Sequence, residues 1–518
     1  MSRTFKTADY VATLEVTVRL GDCLPPDHLA RFVVDAIAQL DVSILYARYG
    51  TRGGEPYAPE ILLGLLFYGY ATGVFSSRKI ERATVETVPF RYIAGNLHPD
   101  HDTIATIATF RKTFLPELKE LFVQLLVLAH LAGLLALGNI SLDGSKIHAD
   151  ASKSKAVSYK RLCEIEAQLR AEVEELFALS ERAEQQEAPA GMVIADEIAL
   201  RQGRLTRLAE AKAVLEARAQ ERAAGEQAEY DAKMAARAEH ARSTGRTPRG
   251  RAPTPPTPGP RDTDQYNFTD PESRIMKNST DAGFEQQYNV QVAVDQESLL
   301  IVGPSLSNHP NDTHEAAPTL AAIPPAIGTP DAAALDTGYF GPATLDACAR
   351  RGIEPYIATG REPHHQSWQE RFAALPEAPP ADASPTVQMA YKLKTALGKA
   401  IYGARKCTVE PVIGIVKEVL GFRQFSLRGL QAAAGEWCLV CLAFNLKRLH
   451  TLLQGNARRL GGPGDRSPGD YPDDGPGGAV YTAASRLWRF LTRRRPHWPV
   501  RLAWSCWRSP FTFSPTGC

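Results

Sequence analysis

Apolar positions in the first 137 residues recur at helical spacing. Pro59 precedes Glu60-Ile-Leu-Leu-Gly-Leu-Leu-Phe-Tyr-Gly-Tyr70, apolar almost all round, and this pattern predicts a central helix. Ser76 and Ser77 are caps for a helix over 78–86, and His98-Pro-Asp-His-Asp102 supplies caps ahead of Thr103. Short helices between capped turns make an all-α domain over residues 1–137. A helix-turn-helix unit, which lays one helix in a DNA major groove, and a plain helical scaffold fit this pattern equally well.

Beyond Gly138 the period shortens to two. Asn139-Ile-Ser-Leu-Asp-Gly-Ser-Lys-Ile147 alternates like a strand as far as Asp143 and predicts a turn at Gly144. Tyr288-Asn-Val-Gln-Val-Ala-Val-Asp295 and Leu299-Leu-Ile-Val302 read as a hairpin. Two short strands follow, over 332–335 and 353–358, before helices dominate from Thr408 to Leu453. Strand, hairpin, strand, strand and helices is the order of an α/β layer with mixed pairing.

A long insertion interrupts that order. Leu162, Ile165, Leu169, Val173 and Leu176 keep a helical period among Glu and Arg. After a break at Pro189-Ala-Gly191, Ile194, Ile198, Leu205, Leu208 and Leu215 do the same. They predict a helical hairpin or coiled coil over 161–241, open to three readings: a solvated surface hairpin, a dimerisation arm or a DNA clamp. The Pro- and Arg-rich stretch 242–262 reads as an extended linker. Residues 454–518 turn Gly-, Pro- and Asp-rich, and 486–508 hold four of the six tryptophans beside Arg493-Arg-Arg495. This tail reads as disordered, with stacking on single-stranded bases as the other reading.

Composition narrows the class without choosing a function. Hydrophobic residues at 44% and charged residues at 23% are those of a soluble globular chain, and 518 residues suffice for two or three domains. With 59 basic against 58 acidic residues, affinity for nucleic acid has to come from local segments. The best one is 401–450, where seven basic residues face three acidic ones. The run from Leu121 to Leu137 is broken by Gln124 and His130, so it reads as a buried helix rather than a membrane span. Of eight cysteines only Cys438 and Cys441 are close, inside an apolar helical run, which fits core packing in a reducing cytoplasm.

Three carboxylates stand out. Asp143 and Asp336 each end a strand reading ahead of a glycine-containing turn, and Glu410 opens a helix whose first turn would accept Pro411. Strand ends hold side chains on a rigid frame, and several carboxylates at one spot suit hard divalent cations. Weaker candidates have simpler explanations. Asp150 reads as a helix cap, His309 and Asp312 as turn formers, and His364-His365 lacks a third ligand. No Gly-rich nucleotide loop is present.

The segments Leu142-Asp-Gly-Ser-Lys-Ile147, Leu335-Asp-Thr-Gly-Tyr-Phe340 and Arg405-Lys-Cys-Thr-Val-Glu-Pro-Val412 closely resemble the three catalytic blocks of bacterial insertion-sequence DDE transposases. Ser76-Ser-Arg-Lys-Ile-Glu-Arg82, Phe90-Arg-Tyr92, Pro99-Asp-His101 and Phe110-Arg111 are similar to the helical domain that precedes the core in that family. Gly421-Phe-Arg-Gln-Phe-Ser-Leu-Arg-Gly-Leu430 and Ala443-Phe-Asn-Leu-Lys-Arg-Leu449 resemble its closing helices. The resemblance implies an RNase H-like mixed sheet flanked by helices over 138–160 and 263–453, with the all-α domain before it and the helical hairpin inserted. It implies Asp143, Asp336 and Glu410 as ligands of Mg²⁺, with Mn²⁺ as a substitute. Tyr402, Arg405, Lys406, Lys417, Arg423 and Arg428 become the DNA-binding side chains. Arg405 stands one residue further from Glu410 than in the wider group, and Lys406 takes the expected offset, so either is the phosphate-gripping residue. The implied partners are double-stranded terminal inverted repeats and target DNA, the implied assembly is a homo-oligomer, a dimer on paired ends, and no membrane is involved. Two rival expectations remain: a nuclease of the same fold that cuts without joining, and a catalytically inactive or domesticated DNA-binding protein.

Overall fold

The computed structural model describes residues 19–47, 56–104, 115–183, 192–246, 250–277, 283–360, 375–380 and 382–459. Phe110-Arg111, the break at 189–191, His364-His365 and the Trp- and Arg-rich segment lie outside these residues.

Six strands form the main sheet: β1 (Asn139–His148), β4 (Arg274–Lys277), β5 (Phe284–Asp295), β6 (Ile301–Ser307), β7 (Ala332–Leu335) and β8 (Glu354–Ile357). Its order is β4-β5-β1-β7-β8, with β6 also paired to β5. The β4, β5, β6 and β1 pairings are antiparallel, whereas β1-β7 and β7-β8 are parallel. This is the mixed sheet of an RNase H-like fold. Two further strands, β2 (Ala156–Ser158) and β3 (Gln265–Asn267), make a small separate ladder.

The turn expected at Gly144 does not form. β1 runs on to His148, paired with β5 throughout, and its last residues are joined on the other side by the segment 423–425. Glycine serves here to make room. A Cβ on Gly144 would lie 2.2 Å from Nε2 of Gln291, the residue opposite it on β5. The strand β5 also differs from a half-buried one, since Asn289 and Gln291 on its polar face are as buried as Val290 and Val292.

Among the described residues the helices before the sheet are α1 (Leu29–Ile37), α2 (Ser43–Tyr46), α3 (Pro59–Ala71), α4 (Ser77–Glu86), α5 (Val88–Ile93) and α6 (Leu115–Leu131). The central position expected of α3 is what its sequence produces: Leu62 to Ala71 are all buried, each leucine contributing roughly 1.5–3 kcal/mol. Asp100 caps the turn at Thr103 through its carboxylate, whereas Ser76 precedes α4 without a side-chain capping bond. The insertion consists of α7 (Tyr159–Ala183) and α8 (Ile194–Thr244), joined by their own small core of Leu162, Leu169, Leu208, Ala211 and Leu215. The stretch after α8 is no free tether. It returns along that helix, with Arg237 donating to the Gly250 carbonyl, Arg222 to the Gly259 carbonyl and Arg261 paired to Glu226.

Five further helices follow among the described residues: α9 (Ala316–Ala321), α10 (Pro342–Arg351), α11 (Pro385–Lys394), α12 (Ala396–Gly414) and α13 (Leu430–Arg459). The last of these extends to Arg459, past residue 454, where the tail was expected to begin. α12 crosses β1, β7 and β8, while α13 packs on β6, α3 and α6. One continuous apolar core runs from α1 through α3 and α13 into the sheet. The buried carboxylate of Glu436 on α13 ties these parts together, accepting from the Tyr70 hydroxyl and from the amides of Ser426 and Leu427. Cys438 and Cys441 are buried in this core, and burial pushes both thiols up, Cys438 to about 12. No helix among the described residues is long and apolar enough to cross a membrane.

Candidate active site

The parallel register of β1 and β7 ends with Leu142 opposite Leu335. Asp143 and Asp336 are the next residue on each strand, so they stand side by side where the two strands part. Alternation along a strand puts Ser141 and Asp143 on one face and Leu142 on the other. The face with Ser141 is the one that α12 covers, because the hydroxyls of Ser141 and Thr408 are 2.7 Å apart. Each aspartate turns its Oδ1 onto the following amide, Asp143 accepting from Gly144 at 2.8 Å and Asp336 from Thr337 at 2.7 Å.

Glu410 reaches the same place from α12. The expectation that it opens a helix is corrected: α12 begins at Ala396, and Pro411 lies inside it. Proline is favoured at helix starts but also tolerated at a cost of about 3 kcal/mol in an interior. Four residues on, the helix widens into a π-turn over Ile415–Val419. The buried stripe of α12 is Ile401, Arg405, Thr408, Val409 and Val412, and Glu410 stands beside it, half exposed.

An arginine lies at the centre of the three carboxylates. Arg405 Nη1 is 2.7 Å from Asp143 Oδ2, and its Nη2 is 3.3 Å from Glu410 Oε1 and 3.9 Å from Asp336 Oδ1. Its side chain is 10% exposed, and its Nε has no hydrogen-bond partner. Burial opposes the guanidinium charge, yet Asp143 and Asp336 foremost hold its pKa above the ordinary value. Burial dominates at Asp143 and pushes that carboxyl up to about 6, against the pull of Arg405 and the Gly144 amide. Among the described residues no three His, Cys, Asp or Glu side chains are disposed to hold a metal directly. The donor chemistry itself suits a hard divalent cation: three oxygen-bearing groups, formally three negative charges against one positive.

Below the sheet a second network steadies this corner. The Tyr339 hydroxyl donates to Gln291 Oε1, and Gln291 and Asn289 donate to Asp312 Oδ1 at 2.7 and 2.8 Å. Tyr339 follows Asp336 in a single 3₁₀ turn, so the network anchors the turn that carries Asp336 to β5. Asp312 therefore does more than form a turn. The sequence reading missed this network; Asn289 and Gln291, alternating with the valines of β5, are the signal that could have found it. His309 pairs with the buried Glu315, and Asp150 pairs with Arg428 instead of capping a helix.

The expected DNA-binding side chains divide into groups. Tyr402 lies with its ring 6.0 Å from the Arg405 guanidinium. Lys406 is exposed on α12, one turn from Glu410. Lys417, half buried in the π-turn, donates to Ser145 Oγ at 3.1 Å and to the Lys146 carbonyl, and burial lowers its pKa. Arg423 is paired with Glu418 and Arg428 with Asp150.

Residues 253–446 match the family model described as transposase DDE domain, and residues 18–112 match the transposase domain DUF772. Asp336 and Glu410 fall within the first match, and Asp143 precedes it. No curated protein and no solved structure matches the chain. Two successive transposase domains spanning more than half the sequence, together with the mixed sheet whose strands β4 to β8 lie in the DDE match, show that the chain belongs to the DDE transposase family of insertion elements.

Proposed function

We propose that the protein cuts DNA strands at the ends of its insertion element and joins the freed 3′-hydroxyl to target DNA, using Asp143, Asp336 and Glu410 as ligands of Mg²⁺ or Mn²⁺. The observation that carries this reading is the meeting of all three carboxylates at one guanidinium, from two parallel strand ends and one helix. A bound divalent ion supplies the activation of water and the charge stabilisation at phosphorus that such chemistry needs. The chain's own contribution is placement. β1 and β7 fix two carboxylates by register, and the Ser141–Thr408 contact fixes α12 over them.

Lys406 and Lys417 are the side chains best placed to meet phosphates beside these carboxylates. Arg423 and Arg428 are engaged with Glu418 and Asp150. A homo-oligomer bridging paired ends belongs to the same proposal, read by sedimentation with end DNA.

The test is strand cleavage of a labelled terminal-repeat duplex by Asp143→Asn, Asp336→Asn and Glu410→Gln. Each variant is expected to lose cleavage while retaining end binding in a gel-shift. Cleavage that survives in all three would overturn the site. An oligonucleotide strand-transfer assay on the unaltered chain separates joining from a nuclease that only cuts.

A further inference from the structure

We infer that Arg405 is a stand-in cation: its guanidinium fills the centre of the carboxylate cluster when no divalent ion is bound and must leave that centre for the ion to enter. This inference rests on the metal-binding reading of Asp143, Asp336 and Glu410. Among the described residues, Arg405 is the one cation within ion-pair distance of any of the three.

The geometry favours an occupant over a permanent strut. A guanidinium built in as a strut has its five N–H donors matched, as its fixed fork allows. Here only the contact to Asp143 at 2.7 Å is short, the other two carboxylates stand off at 3.3 and 3.9 Å, and the buried Nε is left without a partner. Such an orphaned donor is a cost that departure to solvent would relieve. Three carboxylates remote in sequence and brought together by folding also repel one another unless a cation lies among them. Arg405 meets that need in the ion-free protein, and its position explains why the carboxylates do not form a direct ligand set in this arrangement.

An occupant and a strut differ in the sign of one measurement. If Arg405 competes with the ion, the apparent affinity is reduced by the fraction of molecules in which the centre is already filled. Removing the guanidinium then tightens ion binding. If Arg405 only holds the carboxylates in place, its removal weakens ion binding.

The experiment titrates Mn²⁺ into the EDTA-stripped full-length chain by calorimetry, for the unaltered protein, Arg405→Gln and Arg405→Lys. Arg405→Gln is expected to bind Mn²⁺ roughly tenfold more tightly, with Arg405→Lys between it and the unaltered chain, since a compact ammonium cannot span three carboxylates. Thermal melting supplies a second readout: ion-free Arg405→Gln melts below the unaltered chain and gains more from added Mn²⁺. Should Arg405→Gln fail to fold, Arg405→Lys carries the test with the same sign. Equal or weaker Mn²⁺ binding by the folded variants, with binding intact in the unaltered chain, would overturn the inference and leave the metal site standing. No Mn²⁺ binding by any of the three would overturn both.

Discussion

The hydroxyl of Thr408 on α12 and that of Ser141 on β1 lie 2.7 Å apart in a buried contact. Ser141 also receives the side-chain amide of Gln296, and Thr408 bonds back to the Ala404 carbonyl. These links set the height of α12 over the sheet, and Glu410 follows Thr408 by two residues. Thr408→Val keeps the shape and removes the hydroxyl. It is expected to cost about 1–2 kcal/mol of stability, read by chemical denaturation. Cleavage should fall much further, by roughly 100-fold, because a small misplacement of a reacting group is expensive. A loss of activity no larger than the loss of stability would argue that α12 is positioned by other contacts.

Gly144 presses on Gln291 from the opposite strand. An alanine Cβ there would meet Nε2 at 2.2 Å and Cδ at 2.8 Å. Gln291 is pinned by Tyr339 and Asp312, so it cannot swing aside without breaking that network. Gly144→Ala is therefore expected to destabilise the fold by about 1–3 kcal/mol. The double variant Gly144→Ala/Gln291→Ala should lose less than the sum of the two single changes. Additive losses would mean that the two residues do not press on each other.

Period-two alternation identified β1 and β5, a short apolar run β7, an apolar run behind Pro59 α3, and the helical period the α7–α8 hairpin. Family blocks singled out Asp143, Asp336 and Glu410. Alternation alone gave no hint that β1 continues past Gly144, since a glycine reads as a turn unless the side chain opposite is known. Pro411 misled for a related reason: its local preference for a helix start was overridden by the tertiary packing of Ile401, Arg405 and Thr408 on the sheet. Arg405 was expected at a DNA phosphate, and only coordinates could show it facing three carboxylates from its own chain.

His309 links stability to pH. Its hydrogen bond to the buried Glu315 raises the imidazole pKa above 6.5, although partial burial opposes the charge. The folded chain then holds this proton more tightly than the unfolded chain. The pair contributes its full stability below the ordinary imidazole value and loses it as pH rises through the raised one. Unfolding midpoints of the unaltered chain should accordingly drop relative to His309→Gln as pH rises from below the ordinary imidazole value through the raised one. Parallel pH profiles for the two proteins would show that the ion pair carries no linkage.

Among the basic residues expected to meet DNA, Lys406 and Arg428 make a direct contrast. Lys406 is exposed beside Glu410, whereas Arg428 holds Asp150 through both its carboxylate, at 2.8 Å, and its carbonyl. Each phosphate neutralised by a side chain adds about 0.9 to the slope of log affinity against log salt. Lys406→Ala should reduce that slope by about one for terminal-repeat DNA and weaken binding at low salt. Arg428→Ala should leave the slope unchanged, because a guanidinium already paired with Asp150 displaces few counterions from DNA. The measurement is a filter-binding series across salt concentrations for the three proteins. An unchanged slope in Lys406→Ala together with a reduced one in Arg428→Ala would move the phosphate contact from α12 to the loop ahead of α13.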